Sequence, residues 1–167
     1  IDGIDLSLKR GTLTVITGRI GSGKTTLLRV LLGLLPRAGG EVLWNGAAVA
    51  DLGAFFIPPR SAYTAQVPRL FSLSLRENIL LGLDRQDEAV RKALYSAVMD
   101  ADLLDLEKGL DTLVGPRGLR LSGGQAQRAA AARMLVRAPE LLVFDDLSSA
   151  LDVETEQILW ERLFSGA

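Results

Sequence analysis

The chain has 167 residues, of which 48% are hydrophobic and 23% charged, with a formal net charge of −1. That is the composition of one globular domain, without the basic field of a nucleic-acid binder. It contains no cysteine and no histidine, which excludes disulfides, thiolate metal sites and the commonest general base. No apolar run reaches the ~18 residues of a membrane span; Arg29, Gly33 and Gly82 break the longest ones.

Ile4–Leu8 alternates apolar and polar residues and predicts a half-exposed strand. Lys9-Arg10-Gly11 predicts a turn, and β-branched Thr12–Thr17 a second strand. A glycine-rich turn then leads into Lys24–Leu35, apolar nearly all round and therefore expected as a buried helix stopped by Pro36. Glu41–Trp44 followed by Asn45-Gly46 is expected as a short strand entering a turn. The stretch 51–61, with Pro58-Pro59, is expected as a loop, and Ser61–Ala65 as a strand. Helical composition follows over Ser74–Leu81, Gln86–Val98 and Ala101–Lys108, then a loop over Gly109–Leu121. Ser122–Arg137 is alanine-rich and helical, barred by Pro139. Leu141–Phe144 is a continuous apolar run, as in a strand buried on both faces, and Val153–Phe164 a last helix. Strands at both ends with helices between them predict an α/β core carrying a helical insertion.

Gly18-Arg19-Ile20-Gly21-Ser22-Gly23-Lys24-Thr25, with Thr26 after it, fits the spacing of a phosphate-binding P-loop. The glycines let backbone N–H groups converge on phosphate oxygens, and the following helix presents its positive end. Lys24 would reach the terminal phosphates of a nucleotide such as ATP, and the Thr25 hydroxyl would sit on Mg2+. Strand 141–144 is expected to deliver Asp145 to the same end of the sheet, as a Mg2+-holding carboxylate, with Asp146 placed to orient an attacking water. Asp152 is the better cap for the last helix. Ser122-Gly123-Gly124-Gln125 opens the alanine-rich helix; Ser122 can cap it, and the two glycines allow a phosphate close to bare backbone amides.

Leu121 through Gln125 reads LSGGQ, and it lies about twenty residues before the acid-ended strand. Together with 18–25, this resembles the ATP-binding cassette (ABC) family over essentially the whole chain. The resemblance implies a P-loop NTPase fold of the RecA-like kind, with a mainly parallel sheet and a small N-terminal antiparallel part. It implies a nucleotide-binding core over 1–66 and 138–167 and a helical subdomain over 67–137. Gln66, in AYTAQVPRLF, resembles the family's Q-loop glutamine, a further Mg2+ contact. Asp145 then matches the Walker B aspartate, Asp146 the catalytic carboxylate and Ser149–Asp152 the D-loop. Catalysis is expected from Asp146, Gln66 and Lys24, with Thr25, Gln66 and Asp145 around the metal.

The family also implies partners: a second cassette, identical or not, whose signature residues close over this chain's ATP, and a transmembrane domain at the cytoplasmic face of a membrane. Leu70-Phe71-Ser72 with Leu75–Ile79, and Thr112–Gly118, resemble segments of exporter-type cassettes. Leu113 and Pro116 depart from that pattern, standing where acids are usual. The alternatives are a soluble, non-transport ABC ATPase, a plain P-loop kinase, which would not need LSGGQ, and a clamp that holds ATP and barely hydrolyses it. The last follows from Asp146, since exporter cassettes usually carry glutamate there. The family's switch histidine and adenine-stacking aromatic are expected outside residues 1–167. As an isolated piece, the chain is expected to expose an unpaired sheet edge.

Overall fold

Ser61–Thr64 (β3) and Leu141–Phe144 (β4) pair in parallel in the computed structural model, which describes residues 2–165, with Ser61 opposite Leu141 and Thr64 opposite Phe144. Parallel strands need a long crossover, and here it is the helical block itself: Leu75–Leu80 (α3), Asp87–Ser96 (α4), Asp100–Asp105 (α5) and Gly123–Leu135 (α6). A second sheet is the antiparallel pair Leu43–Trp44 (β1) and Ala47–Ala48 (β2). Asn45 and Gly46 turn it with φ of 51° and 82°, the left-handed pair a two-residue hairpin requires. Lys24–Leu31 (α1), Leu52–Phe55 (α2) and Val153–Ser165 (α7) complete the helices.

The largest fully buried side chains belong to the helical block and α7: Leu75, Ile79, Leu94, Met99 and Leu159. Ala129, Ala131 and Ala132 bring α6 close to α3 and α4. α3 and α6 both start on a capping box, Ser74 with Glu77 and Ser122 with Gln125, each satisfying two backbone N–H groups.

Several expectations from the sequence are corrected. Ile4–Leu8 and Thr12–Thr17 form no strand. The Thr12 N–H and hydroxyl turn back onto Lys9 O at 3.3 and 2.7 Å. No ladder bond reaches either segment from the described residues, and strand propensity without a partner leaves extended chain. Ile4, Leu6, Leu8, Leu13 and Val15 are accordingly exposed.

α1 ends at Leu31 and is only half-buried. It is stopped before Pro36 by Gly33, whose φ is 71° and whose Cα faces α2 so closely that a Cβ would stand 2.2 Å from Gly53 N. The stretch 51–61 holds a short helix, α2, because the Asp51 carboxylate accepts from Ala54 N–H at 3.0 Å. β4 is half-buried: β3 lines one edge and Trp160 of α7 covers Phe144, with ring centroids 5.9 Å apart.

Candidate functional site

The glycine loop closes on its own lysine. Lys24 Nζ donates to Gly18 O at 2.8 Å and to Arg19 O at 3.1 Å. Ser22 N–H donates to Arg19 O at 3.1 Å. Gly21 and Gly23 take φ of 78° and 93°, and Gly23 is the cap from which α1 starts. A Cβ on Gly18 would stand 2.8 Å from Ser22 Oγ. Ile20 and Thr26 are exposed, and Lys24 and Thr25 half-buried in the first turn of α1.

At the end of β4 the Asp145 N–H donates to Thr64 O at 2.9 Å, carrying the ladder one residue past the strand. The carboxylate that follows is 7% exposed. Thr25 Oγ1 donates to Asp145 Oδ1 at 2.9 Å, and Tyr63 Oη to Oδ2 at 3.0 Å. Among the described residues Asp145 forms no ion pair. A buried carboxylate held by neutral hydroxyls is one whose charge a cation can still compensate.

Asp146 takes φ of 60°, a conformation aspartate tolerates better than most side chains. Gln66 Nε2 donates to its Oδ2 at 2.9 Å. Its carbonyl accepts from Gln127 Nε2 at 3.4 Å and from Ser149 Oγ at 3.2 Å. Gln127 also donates to Gln66 O at 3.1 Å, so one buried amide from α6 tethers both members of the pair.

Residues 122–125 have other partners. Ser122 N–H donates to Gln125 Oε1 at 2.9 Å, and Gln125 Nε2 donates to Asp102 Oδ1 at 2.9 Å. Arg128 binds the other oxygen of Asp102 at 2.6 Å. Gly124 packs so closely on the turn 147–150 that a Cβ would stand 2.8 Å from Ala150 O, while Gly123 has more room. Among the described residues, no hydrogen bond joins 122–125 to the glycine loop.

The structure thus brings residues 18–26, Gln66, Asp145 and Asp146 to one end of the parallel sheet and sets 122–125 apart. Tyr63, Gln127 and Asp102 were not singled out by the sequence. Only the β3–β4 register puts Tyr63 beside Asp145, and no local pattern encodes that register. The Thr25 hydroxyl and the Asp145 carboxylate are hard oxygen donors, which suit Mg2+. Among the described residues no group of three or more acidic side chains could hold a metal ion by itself.

A glycine loop, a helix that begins with lysine and threonine, and a parallel-paired strand ending in an acid beside that threonine define a P-loop NTPase fold. The family model described as ABC transporter matches residues 1–149, and the chain belongs to that family. It is 38% identical over 161 residues to the probable multidrug resistance ABC transporter ATP-binding/permease protein YheI of Bacillus subtilis, covering 96% of this chain and 28% of that protein. It is 38% identical over 160 residues to antigen peptide transporter 2 of Homo sapiens, covering 95% and 23% respectively. A solved bacterial Atm1-family ABC exporter with ATP bound superposes with a TM-score of 0.83 at 34% identity, covering 94% of this chain and 28% of that one. The chain spans less than a third of each of these proteins.

Proposed function

We propose that this chain is the nucleotide-binding part of an exporter-type ABC transporter, which binds and hydrolyses Mg-ATP to drive a membrane partner. The observation that carries this is the 2.9 Å bond between Thr25 and Asp145, which unites motifs 120 positions apart. Residues 18–26 would wrap the phosphates, with Lys24 swinging from Gly18 O and Arg19 O onto the terminal ones. Thr25, Asp145 and Gln66 would hold Mg2+, which when bound neutralises charge on the phosphates. Asp146, steadied by Gln66, would orient the attacking water.

Residues 1–66 and 138–167 form the core in this reading, and 67–137 the helical subdomain. Ser122, Gly123, Gly124 and Gln125, which share no hydrogen bond with this chain's own glycine loop, would close over the nucleotide of a second cassette. Differential binding of ATP to the closed pair would shift the population of states in a transmembrane domain at the cytoplasmic face. Among the described residues no helix is long and apolar enough to cross a membrane. The permease and exporter relatives favour a transport role.

The site is built to fire slowly. Asp146 places its carboxylate about an ångström short of a glutamate's, and such a displacement costs ~10²-fold. A second copy of this chain would share that handicap; a different cassette would make this the slower of two sites. The reading is tested by phosphate release from the full-length protein with Mg-ATP. Lys24→Ala is expected to reduce turnover about 10²-fold or more. Wild-type turnover no higher than that of the Lys24→Ala protein would sink the ATPase reading.

A further inference from the structure

The carboxyl group of an aspartate turns freely about its last torsion, because sp3–sp2 rotations have broad minima. One hydrogen bond at Oδ1, from Thr25, leaves the plane of the Asp145 carboxylate able to swing. The second bond, from Tyr63 to Oδ2 at 3.0 Å, fixes it. The phenol hydroxyl is the donor of that bond and points its proton at Asp145.

We infer that Tyr63 is a positioning residue for the carboxylate of Asp145 and sets how tightly this site takes a divalent cation. The inference rests on the Mg-ATP reading given above. Tyr63 stands on β3, three residues before the exposed Gln66, and bonds the carboxylate oxygen that Thr25 does not. Each oxygen of the carboxylate thus accepts one hydroxyl, Oδ1 from Thr25 and Oδ2 from Tyr63. Removing the Tyr63 bond costs no ligand; it lets the ligand wander.

The test uses the full-length protein loaded with a non-hydrolysable ATP analogue, titrated with Mn2+ and followed by electron paramagnetic resonance. A hydrogen bond to a charged group is worth about tenfold or more in an equilibrium constant. Tyr63→Phe is expected to weaken Mn2+ binding about tenfold. Affinity for the same nucleotide in EDTA is expected to stay within about twofold of wild type, since the phosphate loop is untouched. Mn2+ binding to Tyr63→Phe as tight as to wild type would overturn the inference. So would a parallel loss of affinity in EDTA, which marks a role in the fold and not at the cation. A wild-type protein that binds the nucleotide without any Mn2+ enhancement would sink the Mg-ATP reading, and this inference with it.

Discussion

Replacing Asp146 by glutamate is expected to speed ATP hydrolysis. The added methylene carries the carboxylate about an ångström further toward the phosphates, and recovering that distance is worth ~10²-fold, or about 2.7 kcal/mol. The backbone of wild type has little room to make up the deficit by itself. Asp146 O is tied to Gln127 and to Ser149, and the carboxylate to Gln66. Against the gain stands the φ of 60° at this position. A longer side chain without local hydrogen bonding bears that conformation at a cost of about 1 kcal/mol relative to aspartate, which it relieves by turning out of the productive geometry. The difference, about 1.7 kcal/mol, predicts turnover roughly 15- to 20-fold above wild type. The assay is steady-state phosphate release from the full-length protein at saturating Mg-ATP, with nucleotide affinity measured alongside. A glutamate variant that binds Mg-ATP like wild type and hydrolyses it no faster would refute the geometric argument.

Gly33→Ala meets two penalties at once, a φ of 71° and a Cβ only 2.2 Å from the backbone nitrogen of Gly53. It should destabilise the packing of α1 on α2 by about 3 kcal/mol, lowering the melting temperature by roughly 10 °C in a fluorescence melt; an unchanged melt would mean that the two segments do not pack as described. Asp152 caps α7 through Thr155 N–H and Oγ1 at 2.9 and 2.7 Å, and these bonds hold its carboxyl below the usual carboxylate range. A lowered folded-state pKa stabilises above the unfolded value and is lost as pH falls through the folded one. The melting difference between wild type and Asp152→Ala should therefore be full at neutral pH and shrink below about pH 4; a difference that grows on acidification would contradict the cap.

Much of the site was legible because each of its motifs answers a local demand. Gly21 and Gly23 supply positive φ before a helix, Ser122 and Gln125 satisfy each other's backbone, and Asp145 follows an apolar strand. Such demands leave their mark within a few residues of sequence. The helices between β3 and β4 were legible for the same reason, through composition and caps. What depends on a distant partner was not. Thr12–Thr17 carries strand propensity yet stays unpaired, since a strand is a property of two segments. Tyr63 looked like an ordinary strand residue until the register set it beside Asp145. Asp102 and Gln127 matter through bonds that span 23 and 61 positions, and no short window contains both ends.

α6 carries Gln125 and Gln127 two residues apart, and successive helical residues advance by about 100°. The two amides therefore leave the helix on nearly opposite sides. One reaches α5 through Asp102 and braces the turn 122–125; the other reaches Gln66 and Asp146. A rigid helix cannot tilt about its first turn without moving both. The segment proposed to touch one nucleotide and the segment proposed to cleave another are thus mounted on a single axle, and a disturbance at either end is felt at the other within one turn of helix.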